Sequence, residues 1–508
     1  MKSSTGPYDF IIVGAGTAGC VIAARLSENP DVRVLLLEAG SGTPPPASAA
    51  AAEWTTLLGS EASWGEMTTP QAATGAATPF PRGRGIGGSS AINGTMFLRG
   101  HHTSYESWQG VGATGWGFDD LLPYFKRSET GAGKDPALRG TDGPLLVAPT
   151  SPLHDVIAAC LSAAVESGFR LATDISGGLE VGFGPVDANV AGGKRQSAAD
   201  AYLIPALRRT NLDFLPDATV DRLRIADGRC AGVEYRGGAG TPTSVVAAGE
   251  VVLTAGAIGS PQLLLLSGIG PDDHLRAVGV DVIHDLPGVG RNLHDHLLVP
   301  VAYRASGPIP EVPSNHGEII GLASSEFASG TPDLQIVVTD SGLGILPGLR
   351  AAEPGYGFLA AVMQPFSRGT VRLSGPDAGA SPLIDPNYFG DDRDMHTVLA
   401  GLRLIRRIGR ASALDAWRGE EVAPGRDVDD DDSLRAHVKT NYSTYFHPVG
   451  TCAMGDTEMS VVDCELRVHG IGGLRVADAS VMPSIPSGNT NATVYAIAER
   501  AAELIGGG

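Results

Sequence analysis

Gly14, Gly16 and Gly19 stand in the order Gly-x-Gly-x-x-Gly, and Glu38 follows Gly19 by 19 residues. The first glycine allows a tight turn, the second lets a pyrophosphate approach the backbone, and the third lets a helix pack against a strand. A helix starting there turns its free N–H groups and positive end toward phosphate. A carboxylate at position 38 is placed to take ribose hydroxyls and disfavours a 2′-phosphate. Together these residues point to dinucleotide binding, although such a motif also occurs as a plain Gly-rich turn. Two more Gly-rich runs lie far from the first, Gly83 to Asn93 and Gly256 to Gly270. His294, Asp295 and His296 are adjacent. No third cluster shows matching ligand spacing, so no metal is expected. Cys452, five residues after His447, is read as packing rather than as a nucleophile. Taken alone, His447 beside Pro448 is a core or capping histidine, and Asn489 in Gly-Asn-Thr-Asn is a turn residue.

The elements around the first motif decide for the dinucleotide. Residues 8–14 are a short apolar run ending in Gly, the pattern of a doubly buried strand. Residues 17–28 read as a helix and 32–37 as the next strand, a βαβ unit of about 30 residues. The stretch 41–53 reads as a low-complexity surface loop, and 79–100 is too rich in Gly, Ser and Arg for one regular element. Apolar runs alternate with Gly turns over 211–256 and predict several strands, and 261–267 predicts a short buried helix. From 298 to 436 no nucleotide motif occurs, so that segment is expected to face the substrate. The acidic run Asp427–Asp432 predicts a solvated loop and a helix start before Ser433. A last apolar helix is expected over about 492–505, and no internal repeat is found.

The chain has 508 residues, room for roughly two to four domains or one large composite body. Apolar residues at 43% and charged residues at 18% exclude a disordered chain or a disulfide-stapled miniprotein. The net charge of −19 argues against nucleic acid as a partner, since phosphate binding needs basic patches. Five scattered cysteines give neither a disulfide framework nor a metal spacing, so a reducing, cytoplasmic setting is expected. Phe10–Leu26 holds three glycines and reads as strand, turn and helix, not as a signal peptide or membrane span.

At the second and third Gly-rich runs the sequence resembles the glucose–methanol–choline (GMC) oxidoreductases. The resemblance extends through Leu286-Pro-Gly-Val-Gly-Arg-Asn-Leu-His-Asp-His296, His447-Pro-Val-Gly-Thr-Cys-Ala-Met-Gly455, Leu474-Arg-Val-Ala-Asp478 and Gly488-Asn-Thr-Asn491. It runs from residue 8 to the C-terminus in family order and is weakest over 298–436. It implies an α/β fold: a Rossmann-like FAD-binding domain and a substrate-binding domain with an antiparallel sheet covered by helices. The expected division is 1–150, 190–297 and 437–508 for FAD, and 151–189 and 298–436 for substrate.

By the same resemblance Gly14, Gly16, Thr17, Ala18, Gly19, Glu38 and Ala39 hold the ADP half of FAD. Val220 meets the adenine with its backbone, and Ala255 is a further cofactor-binding residue. Arg84, Gly87, Gly88, Ser90, Asn93 and Gly94 line the flavin and ribityl chain. Asp478 and Ala479 reach the pyrophosphate and ribityl region, and Asn491 faces the pyrimidine edge of the flavin. Some members carry a histidine that binds flavin covalently where this chain has Ile92. His101 and His102 lie too far along to match, so non-covalent FAD is expected. The family's catalytic pair falls on His447 and, 42 residues later, Asn489. An imidazole suits a general base near neutral pH, and an amide can stabilise the substrate oxygen without competing for its proton.

The implied reaction is oxidation of a small primary alcohol to an aldehyde, with hydride passing to FAD and electrons to oxygen or another acceptor. Phe446 would shape the pocket, with Trp64 and Tyr442 as further candidate walls. Glu318, in Pro313-Ser-Asn-His-Gly-Glu318, matches a glutamate that lies near the substrate cation in choline-type members. An aromatic or furan-type alcohol ranks first and a cationic amino alcohol or amino-sugar second. A non-redox hydroxynitrile lyase of the same family and a non-catalytic flavoprotein remain as alternatives, whereas an NAD-dependent enzyme is excluded unless all the later motifs are coincidence.

Overall fold

The structure is a computed structural model that describes residues 7–237, 242–309, 314–341 and 355–507. Pro313, the first residue of the run ending at Glu318, lies outside them. The glycine motif opens where expected. The strand Tyr8–Val13 leads through Gly14–Gly16 into the helix Thr17–Leu26 and on to the strand Val34–Leu37. Val13 pairs in parallel with both Leu37 and Leu253, so two further strand ends flank the turn. Leu212–Leu215 extends this sheet beyond Val34–Leu37. Leu474–Val476 pairs in parallel with the end of Pro242–Leu253. The first half of that long strand instead joins an antiparallel ribbon with Arg229–Arg236 and Thr219–Ala226. The strands buried on both faces are continuous apolar runs, as parallel sheets require. The last helix, Thr490–Gly506, packs on Thr17–Leu26. Arg25 of the first helix meets the fully buried Glu499 of the last at 2.8 Å.

A second sheet is antiparallel throughout, in the order Arg418–Ala423, Leu297–Ala305, Gly355–Val362, Leu334–Thr339, Ile319–Ala323 and Gly182–Pro185. Alternate residues of its strands face opposite ways. Val299, Val301, Ile336, Val338, Phe358 and Ala360 pack under the helices Asp155–Glu166 and Asp392–Gly409. Leu298, Val337, Leu359 and Ala361 form the other face, with Trp54, Tyr445 and Phe446. The two short residues Ser443–Thr444 also pair with Leu297–Ala305. This sheet therefore takes a strand from the segment expected to belong to the FAD domain, because the chain must cross it to deliver His447.

The third glycine run forms one helix, Gly256–Leu266, that starts earlier than expected and carries Pro261 in its first turns. The acidic run behaves as predicted: Asp430 caps Asp431–Thr440 by accepting from Ser433 N–H at 3.0 Å. Residues 41–53 contain two 3₁₀ turns, Pro46–Ala49 and Ala51–Glu53, that lead to the buried Trp54. Among the described residues no helix is long and apolar enough to cross a membrane.

Candidate active site

One cavity of about 490 Å³ runs from the glycine turn to the apolar face of the antiparallel sheet. At one end lie Gly14, Gly16, Thr17, Ala18, Glu38, Ala39, Val220 and Ala255; Gly88, Asn93, Gly94, Asp478, Ala479 and Asn491 follow, and Phe446, His447 and Asn489 close the other end. Gly14 has φ +106°, a conformation that favours glycine. A Cβ on Gly19 would sit 1.9 Å from the Gly14 carbonyl oxygen, so that glycine serves helix packing and does not line the cavity. A Cβ on Gly16 would meet nothing nearer than 3.9 Å, which leaves the turn open for a ligand.

Glu38 is more committed than its motif suggests. Its Oε2 accepts from Ala15 N–H at 2.8 Å, and its Oε1 accepts from Gly40 and Gly85 N–H at 2.8 and 2.9 Å. A carboxylate has about four acceptor sites, so about one remains for a ribose hydroxyl. Asp478 is fully engaged, accepting from Gly256 N–H, Ser260 Oγ, Ser480 N–H and Ser480 Oγ. Its carboxylate pins the glycine turn of the third run to the last segment. Thr17 Oγ1 donates to Asn491 Oδ1 at 3.2 Å, and Asn491 Nδ2 is left buried without a partner. Unpaired buried polar atoms of this kind are costly unless a ligand meets them. The lining is therefore suited to a polar cofactor with phosphates.

Four further predicted cofactor or substrate residues lie off the cavity. Arg84 reaches back to the Ala39 carbonyl at 3.0 Å. Gly87 takes φ +86° ahead of the 3₁₀ turn Gly88–Ala91. Ser90 donates to the Gly87 carbonyl at 2.6 Å and accepts from Ala198 N–H at 2.9 Å, so its hydroxyl closes that turn from behind. Glu318 is 1% exposed, and its Oε2 accepts from His154 N–H at 3.2 Å just before the helix Asp155–Glu166. Helix ends of this polarity attract carboxylates, and the second oxygen, Oε1, is buried without a partner among the described residues. Of the candidate walls, Trp64 lines the cavity, whereas Tyr442 packs on Tyr388 and Phe389.

His447 sits in a turn held by Asp295. The Asp295 carboxylate accepts from His447 N–H at 2.8 Å, from Thr444 Oγ1 at 2.6 Å and from the Tyr388 hydroxyl. Burial raises that carboxyl from the ordinary 3.8 to about 6. Phe446, directly before His447, has φ +64°, strained for a bulky residue and held by this clamp. His296 Nε2 lies 3.2 Å from the Met363 carbonyl, which can only accept, so Nε2 carries the hydrogen. The other nitrogen, Nδ1, is then an acceptor, and it lies 3.0 Å from His447 Nδ1. His447 must place its proton on Nδ1, which leaves Nε2 with a free lone pair on the remaining edge of the ring. Burial, with His296 alongside, holds the His447 pKa well below the ordinary imidazole value. Asn489 precedes the last helix, its Nδ2 3.9 Å from Met96 Sδ and its Oδ1 without a partner.

The walls around this pair are aromatic and apolar. Tyr445 packs on His447 with ring centroids 4.3 Å apart and planes tilted by 41°, and it donates its hydroxyl to Gln335 Oε1 at 2.8 Å. Trp54 meets Phe446 edge-on at 6.2 Å. Leu298, Val337 and Leu359 rise from the antiparallel sheet. A titratable group among them is His316, whose Nδ1 lies 2.9 Å from Asp340 Oδ1. Sequence reading missed Trp54, Met96, Tyr445 and Asp340, which carry no local motif, and passed over His316 inside the run that ends at Glu318. It did notice Asp295 and His296, as a discounted metal site and as part of a run resembling the family, but gave neither a role in catalysis. Among the described residues no group of three or more His, Cys, Asp or Glu is placed to hold a metal ion. Cys452 is wholly buried, and burial pushes its thiol up, away from thiolate chemistry.

Models of the GMC oxidoreductase family match residues 8–298 and 365–498. An oxygen-dependent choline dehydrogenase of Cronobacter sakazakii is 38% identical over 98% of this chain and 95% of its own. The structure of pyridoxine 4-oxidase from Mesorbium loti superposes with a TM-score of 0.93 at 36% identity, covering 98% of both chains. A variant of the Aspergillus oryzae RIB40 formate oxidase, studied for modification of its FAD, gives 0.92 at 27% identity, covering 99% of this chain and 98% of that one. The relatives' names favour the cationic amino alcohol over the aromatic alcohol that the sequence reading ranked first. The chain belongs to the GMC oxidoreductase family, with its two-domain fold, and is an FAD-dependent enzyme acting on alcohol CH–OH groups.

Proposed function

We propose that this enzyme oxidises the primary hydroxyl of an amine-bearing alcohol of choline or amino-sugar type to the aldehyde, with His447 as general base. The observation that carries the reaction is the chain from the Met363 carbonyl through His296 to His447, which leaves His447 Nε2 unprotonated on a cavity that Asn489 also lines. His447 Nε2 takes the hydroxyl proton. Asn489 Oδ1 has no protein partner among the described residues while its amide also meets the Tyr445 hydroxyl, and a half-turn about its last torsion offers the N–H end to the developing alkoxide. Tyr445, Phe446 and Trp54 exclude water from that oxygen. FAD, when bound, supplies the acceptor for the hydride leaving the carbinol carbon. Gly14, Gly16, Glu38, Val220 and Ala255 would hold its ADP half, and Gly88, Asn93, Gly94, Ala479 and Asn491 the rest. FAD is held without a covalent bond in this reading. Ile92 forms the cavity wall where a covalent histidine would stand, and neither His101 nor His102 lines the cavity.

The amine-bearing substrate is supported by the choline dehydrogenase relatives and by the aromatic walls, which suit an ammonium group. Asp340, bonded to the cavity-lining His316, takes the cation-binding role in place of Glu318 in this reading. A second reading, an uncharged aromatic alcohol, is favoured by the pairing of Asp340 with His316, which already engages that carboxylate. The five unpaired thiols suit a cytoplasmic setting, and the domain limits given above stand as part of this reading, with Ser443–Thr444 reassigned to the substrate sheet. The test is anaerobic titration of the purified enzyme with choline, an amino-sugar and benzyl alcohol while the flavin absorbance is followed. Bleaching by choline or the amino-sugar is expected. Bleaching by benzyl alcohol alone would replace the first reading with the second, and fast recovery in air would mark oxygen as the acceptor.

A further inference from the structure

Arg195 lies behind the cavity wall, only 4% exposed. Its Nε donates to the Ser48 carbonyl at 2.7 Å, and its Nη1 donates to Asn93 Oδ1 at 2.6 Å. The Ser90 carbonyl lies 3.5 Å from the same Nη1, and Nη2 is buried without a partner. Among the described residues Arg195 forms no ion pair. The carboxylate with the largest influence on it, Asp200, already accepts from Ser197 N–H at 2.9 Å and from Ser197 Oγ at 2.6 Å. Buried arginines are almost always paired, because an isolated buried charge is expensive. Burial lowers the Arg195 pKa only to about 10, so the charge persists at neutral pH.

Asn93 shows where that charge acts. Its Oδ1 accepts from both Arg195 Nη1 and Thr95 N–H, the latter at 3.1 Å. Two donors on one oxygen fix the amide orientation, and the NH₂ end is left without a partner among the described residues. Asn93 itself lines the cavity. A positive charge therefore stands one amide away from the cofactor space, on a wall whose exposed group is a donor.

We propose that Arg195 is a positioning residue for FAD: it locks the Asn93 amide with its NH₂ toward the cofactor, and its unpaired charge favours the reduced, more negative form. This rests on the reading that the cavity holds FAD. Ser90 and Asn93 belong to a run visible in the sequence, whereas Arg195 comes from a separate hairpin, Val190–Ala191 with Lys194–Arg195.

The experiment compares the midpoint potential of bound FAD in wild type, Arg195→Gln and Arg195→Lys by dye equilibration, with FAD dissociation constants measured on the same proteins. Arg195→Gln is expected to shift the reduction equilibrium by about tenfold or more toward the oxidised form, ~30 mV for a two-electron couple. Arg195→Lys keeps the charge and is expected to stay within that margin of wild type. Equal potentials in all three proteins, or equal falls in both variants, would overturn the proposal and leave Arg195 as an anchor for the Ser48 turn. If Arg195→Gln cannot hold FAD, a wild-type potential in Arg195→Lys supports the proposal, and a lowered potential or lost FAD in Arg195→Lys overturns it. A wild-type protein that binds no FAD at all would instead defeat the cofactor reading itself.

Discussion

The Nδ1 atoms of His296 and His447 lie 3.0 Å apart, and the Met363 carbonyl on the far side of His296 decides which of them carries the hydrogen. The base is thus set by a residue 151 positions away in the chain and by a backbone carbonyl. Replacing His447 by Ala should slow anaerobic flavin reduction by ~10²–10⁴ while FAD stays bound. Replacing His296 by Ala should lose up to about 10²-fold, through misplacement of the base. Stopped-flow reduction measures both, and unchanged rates in His447→Ala would remove it from the mechanism.

The pH profile follows from the burial of the same pair. A general base works when unprotonated, and His447 is held well below the ordinary value of about 6.5. The acidic limb of kcat/KM is therefore expected below pH 6.5. Stability moves in a related way. In the unfolded chain both histidines take protons near pH 6.5, whereas folded His296 does so only at about 3. The folded state is thus disfavoured as pH falls below about 6.5. Asp295 opposes this, since its folded pKa of about 6 lets the native state take a proton before the unfolded one. Rate profiles and melting curves at pH 7 and pH 5 check both statements, and an acidic limb above 6.5 would contradict the first.

Gly16 and Gly19 should fail differently. A Cβ at position 19 would lie 1.9 Å from a backbone oxygen, so Gly19→Ala should disturb the fold and lower the melting temperature. A Cβ at position 16 has room in the protein but enters the cavity, so Gly16→Ala should fold and bind FAD more weakly. The ratio of FAD to protein, together with thermal melts, separates the two. Equal stability of the two variants would contradict the assignment.

Glu318 provides a test of substrate recognition. One oxygen of its carboxylate accepts from His154 N–H and the residue does not line the cavity, so Glu318→Gln should leave the KM for a cationic alcohol within about threefold, a difference under 1 kcal/mol. Asp340→Asn should raise that KM, since Asp340 faces His316 on the cavity wall. A large effect of Glu318→Gln alone would return the cation site to the position expected from sequence.

Much of this enzyme is determined locally. A strand ending in Gly14, a turn too tight for side chains and a helix needing Gly19 are consequences of steric contacts within a few residues, and they are legible in the order of the amino acids. The ordered motifs likewise identify the family and mark His447 and Asn489, because each motif keeps its own backbone geometry. What only the tertiary structure decides is how distant polar groups satisfy one another. Glu38 and Asp478 carry motif signatures, yet their carboxylates are spent on backbone and hydroxyl donors. Glu318 is drawn to a helix start that is 164 residues away in the chain. His296 and Arg195 acquire meaning only against His447 and Asn93. A buried hydrogen bond or charge is priced by every neighbour around it, and those neighbours are brought together by two sheets whose strands come from all parts of the chain.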